Sequence, residues 1–103
     1  MATITSVTTA RVRDGKMQEA LAVYGKVKKG LERLGGKVRV LSQAFGAAPL
    51  TISIIVEHSS WAEFGAASAK AETDSELQAL LASLRANPIS DLVGRSVFTE
   101  LDV

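Results

Sequence analysis

Two short alternating segments, joined by a turn too small for a crossover, constrain this chain more than any other feature. Lys37 to Phe45 alternates polar and apolar residues, with Val38 and Val40 against Lys37 and Arg39. Thr51 to Glu57 does the same, with Ile52, Ile54 and Val56 against Thr51 and Ser53. Alternation with a period of two marks a strand with one buried face. Only the short turn Gly46-Ala47-Ala48-Pro49 and its neighbours join them. A parallel pair needs a connection of a dozen residues or more, so these two strands form an antiparallel hairpin.

Helical patterns flank the hairpin. Met17, Ala20, Leu21, Tyr24, Val27, Leu31 and Leu34 recur at steps of three and four, which places them on one helical face. Asp14 is the expected cap of this helix, and Gly35-Gly36 the expected stop. Downstream, Ser60-Trp61-Ala62-Glu63 reads as a capping box that opens a second helix. Thr73-Asp74-Ser75-Glu76 is another, ahead of Leu77, Leu80, Leu81 and Leu84, so this helix breaks near Glu72 and restarts. Asn87-Pro88 ends it. Thr3 to Val12, rich in Thr, Val and Ile, and Leu92 to Val103, alternating through Val93, Val97, Leu101 and Val103, are the outer strands.

The order β-α-β-β-α-β predicts one α+β domain over residues 1–103, with a ferredoxin-like fold. Right-handed crossovers give a four-stranded antiparallel sheet, strand order 4-1-3-2, with the helices on one face. If Val38, Val40, Ile52, Ile54, Val56 and Val97 point at the helices, Val7, Leu41, Phe45, Ile55 and Phe98 lie on the opposite face. Such a face is too apolar to be left wet, and pairing with a second copy about a twofold axis is the expected cover.

Composition excludes several functions. The 103 residues suffice for one core, which buries roughly 60–70% of the unfolded surface. A formal charge of +1 provides no field for nucleic acid or anionic lipid. No Lys/Arg-Gly-Phe strand motif is present to stack RNA bases. The absence of cysteine removes disulfides, thiolate metal sites and a cysteine nucleophile, and with a single histidine no protein zinc site is expected. The N-terminus reads as a strand and not as a signal peptide, and no apolar run reaches the ~18–20 residues of a membrane span. The expected address is the cytoplasm, without nucleic-acid or membrane partners.

Few residues are left to carry chemistry. A parallel run of the two central strands would gather Arg11, Arg13, Lys37, Glu57, His58 and Asp91 at one sheet edge, with His58 a candidate general base. The plainer reading of His58 is an exposed turn histidine. Trp61 and Phe64 lie one helical turn apart and suit a pocket for a flat apolar ligand, with the Tyr24 hydroxyl turned toward the same space. Aromatics so spaced more commonly just fill a core. If Ser6, Thr8 and Ala10 face inward, the first strand leaves volume beneath the helices. Arg95 would steer an anionic group into that volume, or else pair with Glu57 or Asp91 at the edge. Lys26, Lys28, Lys29 and Arg33 read as the solvated side of the first helix. Gly35-Gly36 lacks phosphate-loop spacing.

The run Ile54-Ile55-Val56-Glu57-His58-Ser59-Ser60-Trp61 leading into Phe64, the broken second helix and the terminal Gly94-Arg95-Ser96-Val97-Phe98 carry a resemblance. Over nearly its whole length the chain resembles the dimeric α+β barrel superfamily, in its NIPSNAP-like and antibiotic-biosynthesis-monooxygenase-like branches. The resemblance implies a homodimer with facing sheets and a pocket in each subunit between sheet and helices. It also implies a range of roles, from cofactor-free oxygenation through haem degradation to members without known activity. The haem degraders' iron-binding histidine lies inside the second helix, where this chain reads Ala67-Ser68-Ala69-Lys70-Ala71. No metal and no cofactor are therefore expected. Two functional expectations follow. One is a dimer that binds a small apolar or aromatic molecule through Tyr24, Trp61, Phe64 and Arg95, or, as an alternative, acts as a cofactor-independent monooxygenase-like enzyme on an aromatic or polyketide-like substrate. The other is a structural module with a filled core.

Overall fold

A computed structural model describes residues 3–46 and 50–103. Its elements run β1 (Ile4–Val12), α1 (Met17–Arg33), β2 (Lys37–Ser42), β3 (Thr51–His58), α2 (Trp61–Thr73), α3 (Ser75–Ala86) and β4 (Ser90–Thr99). The four strands form one sheet in the order β2-β3-β1-β4, with every neighbouring pair antiparallel. This is the expected order and fold. Residues 47–49 of the expected hairpin turn lie outside the described residues.

Alternation decides the two faces. Ile4, Ser6, Ala10 and Val12 of β1 are buried, as are Val38 of β2 and Ile52, Ile54 and His58 of β3. The register pairs Ala10 with Ile52, Ser6 with Val56 and Ile4 with His58, so these residues share the inner face. Ser6 and Ala10 thus point inward. The core forms where this face meets Ala20, Tyr24 and Val27 of α1, together with Ile89. On the outer face Val7 pairs with Ile55 and Thr5 with Phe98, and Thr9 and Ser53 hydrogen-bond at 3.2 Å. Leu41 and Phe98 stand 45% and 54% exposed there, and no helix among the described residues covers them.

Several boundaries differ from expectation for local reasons. Asp14 does not cap α1. The Lys16 amide donates to the Arg13 carbonyl at 3.0 Å and Gly15 sits at φ +74°, so Asp14 is held inside a turn and Lys16 occupies the cap position without a side-chain bond. The second restart is capped one residue later than the box suggests, because Asp74 accepts from the Leu77 amide at 2.9 Å while the Thr73 hydroxyl donates back to the Lys70 carbonyl. β2 ends at Ser42, and Phe45 lies beyond it, almost fully exposed, instead of on the outer face of the strand. β4 begins at Ser90 and stops at Thr99, short of Leu101 and Val103.

The central strands are not parallel. The α1 crossover gives β1 and β2 the same direction, and the hairpin then reverses β3, so β3 must oppose β1. The expected charged edge therefore splits in two. Arg11 pairs with Thr51 and Asp91, and Arg13 bridges Asp91 at 2.8 Å, all at one end of the sheet. Lys37, Glu57 and His58 lie at the other end, beside Thr5 and Ile4. Arg33 is not free on a solvated face either. It grips both Asp74 oxygens at 2.8 Å and Glu76 at 3.1 Å, tying α1 to the α2–α3 break.

Candidate functional site

His58 is the last residue of β3, and its alternation places it on the inner face, 8% exposed. The chain then turns at once into α2. Ser60 is extended and its hydroxyl accepts from the Glu63 amide at 3.1 Å, satisfying one donor that the helix start leaves free. The return arm of the expected capping box lands one residue early, since the Glu63 carboxylate accepts from both the amide and the hydroxyl of Ser59. These bonds, the Ser59 hydroxyl foremost, hold the Glu63 carboxyl below the usual carboxylate range, with a smaller contribution from the charge of His58.

The short connection stacks three rings. Phe64 meets His58 edge-on, with ring centroids 5.8 Å apart, and Trp61 meets Phe64 edge-on at the same separation. Edge-to-face contact at this distance is the favoured arrangement of aromatic quadrupoles. Gly36 makes the placement of His58 possible. A Cβ at that position would lie 2.6 Å from Val56 Cγ1 and 3.3 Å from His58 Cε1, so any larger residue would displace the imidazole or the strand.

Beneath α2 a cleft of about 260 Å³ opens between helices and sheet. Its floor is Ser6, Val56 and His58; Phe64, Ala67, Ser68 and Ala71 of α2 form one wall, and Leu31, Leu34, Leu77 and Leu81 form the apolar remainder. Arg95, Glu72 and Gln78 bring polar groups to it. The Arg95 Nε donates to the Ser6 hydroxyl at 3.4 Å, and Arg95 takes part in none of the ion pairs among the described residues. The edge partners suggested for it are engaged elsewhere, Asp91 by Arg13 and Glu57 by Arg39. α2 offers the cleft alanine and serine and no imidazole, so this helix brings no nitrogen ligand for a haem iron. Among the described residues no cluster of histidine and carboxylates is placed to hold a metal ion, and no helix is long and apolar enough to cross a membrane.

Of the candidate site residues, the fold brings His58, Phe64 and Arg95 to one cleft and leaves two outside it. Tyr24 is 6% exposed in the α1 core, its hydroxyl hydrogen-bonded to Ser90 of β4. That partner satisfies the phenol far along the helix from the cleft. Trp61 is 59% exposed on the first turn of α2 and reaches the cleft only through Phe64. Sequence reasoning missed Ser68 and Ala71, although the run Gly65-Ala66-Ala67-Ser68-Ala69 signals a helix unable to fill the space below it.

No family model matches the sequence, and no curated protein matches it. Solved structures do. A NIPSNAP family protein from Agrobacterium tumefaciens superposes with a TM-score of 0.72 at 18% identity, covering 98% of this chain and 93% of the other. SnoaB, a cofactor-independent oxygenase from Streptomyces nogalater, superposes with a TM-score of 0.70 at 19% identity, covering 98% and 95%. An antibiotic-biosynthesis-monooxygenase-like protein from Chloroflexus aurantiacus gives 0.69 at 14% identity, covering 98% and 95%. At these identities the shared property is the fold.

Proposed function

We propose that this protein is a homodimeric α+β barrel protein that binds a small, flat apolar or aromatic molecule in the cleft beneath α2. The cleft itself carries the reading: about 260 Å³ with leucine, valine and phenylalanine walls and an arginine beside them. Pockets for small organic ligands are concave and mostly apolar with a few placed polar groups. Arg95 suits a carboxylate or phenolate on such a ligand, because its guanidinium offers paired donors and, among the described residues, is engaged only by one long bond to Ser6.

The dimer is supported by surface. One subunit exposes 6879 Å², whereas a monomeric protein of 10.9 kDa exposes about 5600 Å². The molecule is a slab whose shortest dimension is 17 Å, with an apolar strip around Val7, Ile55 and Phe98 on its open side. A second copy laid on that side would cover the strip.

A cofactor-independent oxygenase is the second reading, favoured by the burial of His58 against the cleft. There the imidazole would take a proton from an acidic aromatic substrate, and the carbanion left behind would pass electrons to dioxygen.

Two measurements test the binding reading. Trp61 is the only tryptophan, and its ring leans on Phe64 of the cleft wall, so its emission reports on ligand entry. Quenching by flat aromatic acids such as 2-naphthoate is expected, and an unchanged emission across a panel of such compounds contradicts binding. Sedimentation should give twice the 10.9 kDa chain mass at micromolar concentration, and a monomer removes the barrel. For the second reading, dioxygen uptake with a polycyclic phenol should require His58 and vanish in His58→Gln.

A further inference from the structure

His58 stands in a wall between two clefts. One is the apolar cleft beneath α2. The other, of about 240 Å³, opens past the end of β3, where His58 is joined by Lys37, Glu57, Ser59 and Glu63. The same residue lines both. We propose that His58 is a two-sided acid–base group, which meets the bound molecule across the apolar cleft and exchanges its proton with water through the polar one, where Glu63 holds the imidazolium. The proposal rests on the binding reading above and extends it to the route by which a proton leaves.

Three observations carry it. An imidazole has two ring nitrogens, so it can take a proton on one side and release one on the other. Gly36 presents bare backbone to the ring, since even a single added carbon there would sit 3.3 Å from Cε1 and 3.5 Å from Nε2. Glu63 is a fixed carboxylate and not a swinging one, pinned by the Ser59 amide and hydroxyl next in sequence to His58.

The charges around the ring differ on its two sides. Toward the polar cleft stands Glu63 of α2, while Glu57 of β3 and Lys37 of β2 line it from the outer-face register, where Arg39 of β2 bridges Glu57 at 3.2 Å. Toward the apolar cleft stand Arg95 of β4, which opposes it, and Glu72 of α2. α1 and α3 present leucines and the neutral Gln78. When a bound acid loses its proton, one imidazole nitrogen accepts it. The imidazolium then gives its other N–H proton to water in the polar cleft, and the neutral ring is restored without any co-reactant.

The single histidine makes the test direct, because its Cε1 proton is one resolved NMR signal. That signal should respond reversibly to pH in the free protein. It should keep doing so with 2-naphthoate saturating the apolar cleft, and also in Ala67→Leu, which fills the cleft without a probe. Glu63→Gln should move the titration to lower pH and Lys37→Met to higher pH. Binding of 2-naphthoate should be several-fold tighter below the titration than above it, in the same proportion as the probe shifts the titration. Loss of the titration when the apolar cleft is filled overturns the two-sided role, as does a titration that ignores both polar-cleft variants. A 2-naphthoate complex that leaves the His58 signal unmoved overturns it from the apolar side. If 2-naphthoate and related acids fail to bind while both variants shift the titration as stated, it is the binding reading that falls, and the contact with a ligand falls with it.

Discussion

The inner face of the sheet is covered twice, and the two coverings differ. Under α1, Tyr24, Val27 and Ala20 meet Val12, Ile52 and Ile89, all of them 7% exposed or less, and the space is filled. Under α2, whose only buried residue is Ala67, the helix supplies Phe64, Ala67, Ser68 and Ala71, and about 260 Å³ stays open. Both regions rest on the same strands, so the difference lies in the helices. A packed interior tolerates few voids, and large-to-small changes in a core are costly because the surroundings relax only in part. A cleft that persists beside a filled core marks where stability was not the only demand on the sequence.

Substitutions can sharpen or break this contrast. The largest effect is expected in the filled half. Ile52, 1% exposed, should lose about 3 kcal/mol of stability as Ile52→Ala in urea unfolding, whereas Val56→Ala at the cleft floor should lose roughly half of that or less. Equal losses would mean that the cleft half is packed as tightly as the other.

Gly36→Ala comes next. Its Cβ would meet Val56 Cγ1 at 2.6 Å, and forcing an extra carbon into a tight site typically costs about 1–3 kcal/mol. The distinguishing readout is the His58 ring signal, which should move in this variant and stay in place in Gly65→Ala, where an added Cβ meets nothing within 4 Å.

The smallest effect lies at the tie between the halves. Arg33 donates to Asp74 and so holds that carboxyl below its ordinary value, with the Leu77 amide helping. The folded state therefore binds the proton less readily than the unfolded chain does, and stability rises with pH through the carboxylate range. That contribution is present above the unfolded value near ~4 and is lost as pH falls through the lower folded value. Arg33→Met should flatten the acid limb of urea midpoints measured between about pH 2 and 5. An unchanged limb would show that the clasp does not operate in solution.

Much of the fold was legible because periodicity reports burial directly. Val38, Ile52 and Ile54 announce their face by alternation, and the short hairpin connection forces its own geometry. Caps were legible only to within a residue or two, since Asp14, Asp74 and Thr73 all have the chemistry of a cap and only the path of the backbone decides which one acts. The direction of β3 against β1 followed from the hairpin and the crossover taken together, and the charged edge drawn with parallel central strands combined two opposite ends of the sheet. Of the site, His58, Phe64 and Arg95 were visible as chemistry. Tyr24 and Trp61 were not separable from them, because helical spacing fixes a face and says nothing of position along the axis or of a partner such as Ser90. Gly36 and Ser68 were invisible as site residues, being defined by what they leave room for.

The most direct test sets two alanines side by side. Ala20 is fully buried under α1, and Ala67 lines the cleft under α2. In urea unfolding Ala20→Leu should lose about 1–3 kcal/mol through overpacking. Ala67→Leu should hold or gain about 0.5–2 kcal/mol by filling open volume, while losing the quenching of Trp61 by 2-naphthoate. Two equally destabilised variants would mean that no cleft exists beneath α2 in solution, and the binding site would go with it.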